Sequence, residues 1–215
     1  MRKLSAYLLL LCSLLLCSCS QSKNTEMQQG QIYLYGEAHA DAECLEKELE
    51  LWGELYADGV RDLFVETPYY TAAYLNEWMH AESDDVLGLL YQDLSGTQNH
   101  SQEVLDFYRQ IKRDYPETVF HGTDVGHQYG STGARYLAKM RAAGQTDSEA
   151  YAYRENCMVQ NFVREYEALS GATVMGVYGA MHTDPESPDF SGKVDSMAKQ
   201  LAARFGDALH AEDLS

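Results

Sequence analysis

Thiols are scarce where a fold could use them. Of the five cysteines in 215 residues, Cys12, Cys17 and Cys19 fall in the opening stretch, leaving Cys44 and Cys157 for the remainder. Two cysteines make no disulfide framework, and no CxxC or other thiolate metal pattern is present. A bridge between them is open in an oxidising compartment, but each also suits a small apolar position on a helix. Basic charge is short as well: 16 Lys and Arg stand against 33 Asp and Glu, a net charge of −17. Such a surface repels nucleic acid and anionic headgroups. The apolar run from Tyr7 to Leu16 is too short to cross a bilayer as a helix, which takes about 20 residues. There is no low-complexity tract.

What the opening stretch does have is the layout of an export signal, with Arg2 and Lys3 ahead of that apolar run. Leu16-Cys17-Ser18-Cys19 resembles the bacterial lipoprotein signal, which is cut before a cysteine that then carries lipid. Residues 1–18 are then a signal peptide, Cys19 the lipidation site and residues 19–31 a polar tether. A plain secretory signal or an uncleaved anchor is the alternative. Loss of Arg2 and Lys3 takes the charge from −17 to −19. Attachment to the membrane would rest on lipid and not on basic patches. The expected location is the cell envelope, outside the cytoplasm, with residues 32–215 as one α/β domain.

Two stretches of that domain share a spacing. Ile32 to Tyr35 is apolar, stops at Gly36 and delivers Glu37 and His39. Thr173 to Tyr178 stops at Gly179 and delivers His182. Two similar segments end in acids, one at Glu66 and the other at Asp124. Read as parallel strands of one open sheet with helices on both faces, the four send His39, Glu66, Asp124 and His182 out by one edge. That edge is where open α/β sheets bind ligands.

Helical spacing fills the gaps. Asp41 caps a helix to about Ala57, with Leu45, Leu49, Trp52, Leu55 and Tyr56 inward and the acids and Lys47 outward. Between strands 2 and 3, helices begin near Pro68, Ser83 and Ser101, more than one crossover needs. The excess reads as a helical cap over the site. Thr146-Asp147-Ser148-Glu149 is a capping box for the longest helix, to about Leu169. A helix through Met197, Leu201 and Phe205 and a short edge strand near Ala208–His210 follow.

Glu37 and His39 are two apart, so in an extended segment they point the same way. A carboxylate beside an imidazole holds its tautomer and raises its basicity, as a general base requires. Histidines with carboxylates and no thiolate also suit Zn²⁺, Mn²⁺ or Fe²⁺, with His39, His182, Glu66 and Asp124 as ligands. Glu66 ends a buried strand, where an acid needs a partner. Arg154, Met158 and Asn161 share a helix face, so Arg154 could pair with Glu66 and Asn161 orient a neighbour. His121 falls on the sheet surface, and His127 sits in a loop from which it could reach the site. His80, His100 and His210 read as surface residues. The tyrosine pairs Tyr69/Tyr70 and Tyr151/Tyr153 suggest an aromatic cleft wall.

In order, Gly36-Glu37-Ala38-His39, the strand ending at Glu66, Gly122-Thr123-Asp124, Arg154-Glu155-Asn156-Cys157-Met158 with Asn161, and Gly179-Ala180-Met181-His182 resemble the erythromycin esterase-like/ChaN/Tiki-TraB superfamily. The resemblance implies an α/β fold with the site at the strand ends. It implies metal-dependent proteolysis in Tiki-like members, lactone opening by a first-motif histidine in esterase-like members, and haem binding by ChaN-like lipoproteins. Ala40-Asp41-Ala42-Glu43 stands where ChaN-like chains carry further histidines, and the Arg154 helix is similar to the esterase-like group. The expectation is a hydrolase of an ester, lactone or amide in a small molecule or peptide. His39 is base or ligand, Glu37 its orienter, Glu66 and Arg154 a buried pair, and His182 a second base or ligand. Glu155 and His127 stand by as further site residues. The rival is a lipoprotein that binds haem or a metal without turnover.

Overall fold

A computed structural model describes residues 30–125 and 133–215. Cys19 and His127 lie outside the described residues. Five strands form one all-parallel sheet: β1 (Ile32–Glu37), β2 (Asp62–Pro68), β3 (Val119–Asp124), β4 (Val174–Gly179) and β5 (Leu209–Asp213), in the order β3-β2-β4-β1-β5. The α/β class and the parallel open sheet agree with the sequence reading.

Side chains in a strand alternate between faces, and both faces here are covered. Tyr35, Leu63, Val65, Met175 and Val177 meet one helical layer, built from α1 (Ala42–Ala57), α2 (Tyr69–Met79), α3 (Asp85–Asp93) and α4 (Gln102–Asp114). Ile32, Leu34, Phe64, Val174 and Tyr178 meet the other layer. Of its helices, α5 (Gly133–Ala142) packs on α6 (Asp147–Ala168), which lies on the sheet; the short α7 (Ala180–Thr183) follows β4, and α8 (Met197–Phe205) completes the layer. Aspartate and threonine caps start the main helices as their sequences demand. Asp41 accepts from the N–H groups of Glu43 and Cys44, and Thr146 and Glu149 make the capping box of α6. No described helix is long and apolar enough to cross a membrane.

The three helices inserted between β2 and β3 are present as expected; they pack on a sheet face, and Gln98 from their segment lines the cavity at the strand ends with Glu66 of β2. Cys44 and Cys157 are both free thiols, and Cys44 is buried on α1. One expectation needs correction: on α1 not every acid points outward, and Glu48 is buried beside Cys44, Leu45 and Trp52.

The strand order locates the cleft. From β1 the chain leaves past β4 to reach β2, over the face that carries α1. From β4 it leaves past β1 to reach β5, over the face that carries α8. Adjacent strands whose connections depart in opposite directions leave a crevice at their carboxyl ends. His39 and His182 follow those two strands.

Candidate active site

Glu37 pairs in register with Gly179, and Gly36 with Tyr178, so the two Gly-x-x-His segments lie side by side. Both glycines are required by close approach. A Cβ on Gly179 would sit 2.9 Å from His39 Nε2 and 3.3 Å from Glu66 Oε2; one on Gly36 would sit 2.3 Å from Thr183 Oγ1. Past Glu37 the chain does not stay extended. Asp41 N–H bonds Ala38 O at 3.0 Å, and Ala40 takes a φ of 59°. This turn, and not strand alternation, folds His39 back until its Nδ1 lies 2.8 Å from Glu37 Oε1.

Glu66 is the hub. Its Oε2 accepts the Gly179 N–H at 2.7 Å and lies 3.8 Å from His39 Nε2. Its Oε1 accepts from Arg154 Nη2 at 2.5 Å and lies 3.6 Å from His182 Nε2. The two imidazoles therefore flank opposite oxygens of one carboxylate. Arg154 also donates to both oxygens of Asp124, from Nε and Nη2, each at 2.9 Å. His182 Nδ1 lies 2.6 Å from Glu155 Oε2, and Glu155 Oε1 accepts the Met197 N–H at the start of α8. Asn161 donates to Thr123 O at 2.8 Å, tying α6 to the end of β3. His121 bonds Asp62 at 2.8 Å and stacks on Phe64, on the sheet face as expected.

The electrostatics separate the two histidines. Burial alone would lower the pKa of His182, but the charge of Glu66 and the bond to Glu155 overcome it and push it up to about 10. These two acids favour the imidazolium form of the ring, and Arg154 Nη1 stands 3.5 Å from its Nε2. His39 is also raised above its ordinary value: burial opposes protonation, while Glu37 and Glu66 favour it more strongly. Its side chain is 26% exposed, so water reaches it. Burial would raise Glu66, but His182 and Arg154 hold it well below the usual carboxylate range.

A cavity of about 500 Å³ opens over this group. Its floor is polar, and one wall is apolar: Tyr151 meets Phe190 edge-on with ring centroids 4.9 Å apart, and Met181 stands nearby. Phe190 is 63% exposed and Met181 52%. Tyr151 is thus on the wall, whereas Tyr153 lines a different hollow beside Cys157 and Tyr69 is exposed. Sequence reasoning missed Phe190 and Met181. The available signal was one aromatic residue inside the turn-rich stretch Pro188-Asp189-Phe190-Ser191-Gly192, and no periodicity drew attention to it.

The four side chains expected as metal ligands do not form an open donor set. Both oxygens of Asp124 are taken by Arg154, whose guanidinium sits against Glu66 where a cation would have to lie. Among the described residues no group of three or more His, Cys, Asp or Glu is placed to hold a metal ion.

No family model and no curated protein matches the chain. Among solved structures, a protein from Bacillus cereus matches with a TM-score of 0.61 and 12% identity, over 87% of this chain and 66% of that one. The chain thus spans about two thirds of that protein's length. The type III effector HopBA1 matches with a TM-score of 0.48 and 15% identity, over 74% of this chain and 70% of that one. At these identities the B. cereus structure establishes the fold and nothing about chemistry.

Proposed function

We propose that the chain is a hydrolase of esters, lactones or amides, working without a metal ion and held at the cell envelope through Cys19. One observation carries the reading: two imidazoles flank a single carboxylate in an open cavity, one partly exposed and backed by Glu37, the other buried between Glu66 and Glu155. With Nδ1–H bonded to Glu37, His39 takes a proton from water at Nε2 while the water oxygen bonds to the carbonyl carbon. The carbonyl electron pair moves to oxygen. His182, its Nε2 3.6 Å from Glu66 Oε1 and 3.5 Å from Arg154 Nη1, is the group we assign to that oxyanion. Collapse breaks the C–O or C–N bond, and the leaving group takes the proton from His39. Arg154 keeps Glu66 ionised and in place between the rings. The superfamily resemblance supports the same assignment of His39.

The test is hydrolysis of an aryl ester, a macrocyclic lactone and an anilide by the wild type and by His39→Ala. General-base assistance contributes a factor of about 10² to 10⁴, so the variant loses at least about 10² in kcat. A loss of under about threefold rejects the assignment. Elemental analysis of the purified protein accompanies it. Stoichiometric metal that disappears from both His39→Ala and His182→Ala would replace the metal-free reading by metal-assisted hydrolysis. A Soret band on adding haemin, abolished by changing Tyr151 or His39, would replace it by the binding lipoprotein. For the anchor, Cys19→Ser moves the protein from the membrane fraction to the soluble one.

A further inference from the structure

Beneath His39 lies an acid that the proposed chemistry does not use. Glu48, on α1, is 1% exposed and stands in the buried stripe of that helix. It borders a hollow of about 40 Å³, close to the volume of one water, together with Glu37, Glu66 and Tyr108, against Val104 and Phe107. No lysine or arginine among the described residues lines this hollow. Taken as an anion, Glu48 leaves its Oε1 buried with no hydrogen-bond partner. Its carboxyl meets that of Glu37, and two carboxylates in contact in an apolar setting do not both ionise. One proton between them turns the repulsive contact into a hydrogen bond and satisfies the orphaned oxygen. Glu37 is the partner that must stay ionised, because its Oε1 already faces His39 Nδ1 at 2.8 Å.

We infer that Glu48 is a positioning residue that stays a neutral acid, donates its proton to Glu37 and so fixes that carboxylate on His39 Nδ1. The order is Glu48, Glu37, His39, each acting on the next. Burial first, and then Glu37, push Glu48 up to about 10, in agreement with this arrangement. The other titratable groups near it, Cys44 one turn earlier on α1 and Tyr108 on α4, are neutral at pH 7, each raised mainly by burial. The inference deepens the reading of His39 as the base, but its first test needs no substrate.

That test is the pH dependence of stability in the wild type and in Glu48→Gln, which keeps the shape, donates the same bond and cannot ionise. A carboxyl with a raised folded pKa binds a proton in the folded state that the unfolded chain has lost, so folding weakens as pH rises. The midpoints of the two proteins should run together below about pH 4.5. Above that, the wild type should fall progressively behind the variant up to about pH 10. Profiles that stay parallel overturn the inference. The second test follows the ring signal of His39 by NMR. Glu48→Gln should titrate like the wild type, whereas Glu48→Met, which removes the donor and exposes His39 to the full charge of Glu37, should move the midpoint up by about 1 on the pH scale. An unmoved His39 in Glu48→Met, or a shifted one in Glu48→Gln, overturns the positioning role. Should Glu48→Met not fold, the Glu48→Gln result decides. Either result leaves the hydrolase reading to its own assay.

Discussion

His39 and His182 carry the same ring and face the same carboxylate, yet their surroundings assign them opposite work. His182 has acids at both nitrogens, which keep it protonated up to about pH 10. His39 has one acid bonded to Nδ1 and a 26% exposed side chain, so it can give up its proton to become a base. The pH dependence of kcat/KM should follow. The acid limb, set by His39, lies above the 6.5 of an ordinary imidazole, and an alkaline limb appears near 10 as His182 discharges. An acid limb below that ordinary value would contradict the assignment. Gly179 offers a second check at this scale. Its φ of −53° suits any residue, so Gly179→Ala carries no backbone strain. Its new Cβ would stand 2.9 Å from His39 Nε2 and push the ring aside. Misplacement by about 1 Å costs about 10²-fold in rate, so the variant should fold normally and lose activity to that extent. Normal activity in a folded Gly179→Ala would show that the position of His39 Nε2 is unimportant.

At the scale of elements, α6 joins the site to the core. Its Met158, Phe162 and Tyr166 are buried against the sheet, while Arg154, Glu155 and Asn161 reach Asp124, Glu66, His182 and Thr123. Arg154→Met leaves Asp124 a buried acid without its cation and Glu66 with His182 alone. Breaking such a pair costs about 3–5 kcal/mol, which a urea titration measures; a loss below about 1 kcal/mol would mean that solvent reaches the pair. Much of this was readable in the chain. The strand ends at Gly36 and Gly179, the capping box of α6 and the Arg154–Glu66 pair all follow from local patterns or from the need to neutralise an acid at a buried strand end. Other features depend on contacts that no local pattern encodes. His182 owes its raised pKa first to Glu66 and then to Glu155, 27 residues away, and Glu48 was masked by a stripe in which Leu49 seemed the better inward residue. Asp124 read as a ligand because a metal and a guanidinium recruit the same acids, and the geometry of Arg154 decides between them. The 184–196 segment has no period to read. It still sets Phe190 beside the cavity, so Phe190→Ala should raise KM several-fold with kcat unchanged, as expected when ground state and transition state share a contact. An equal fall in kcat would place Phe190 closer to the reacting atoms.

At the scale of the molecule, the excess of acids and the buried ion cluster both tie stability to pH, and salt separates them. The surface term follows the net charge of −17: self-repulsion grows as carboxyls ionise and is screened over about 8–10 Å at ordinary ionic strength. The buried term belongs to His182, Glu66 and Glu48. His182 has a folded pKa raised to about 10 from 6.5, so its contribution is complete below about pH 6.5 and disappears as pH climbs through 10. Glu66 is depressed from 4.5, so its contribution is complete above that value and disappears in acid. With Glu48 weakening folding progressively above about pH 4.5, thermal midpoints should be highest near pH 4.5 and decline on either side, more steeply above about 6.5 where His182 adds to the loss. Raising the salt should lift the alkaline side partway, because it screens the surface and not the cluster. The decline that survives in high salt should be shallower in His182→Gln, even though that variant is less stable throughout for want of a partner to Glu155 and Glu66. If His182→Gln and the wild type decline in parallel in high salt, His182 is not held as a cation in the folded protein, and the division of labour between the two rings fails with it.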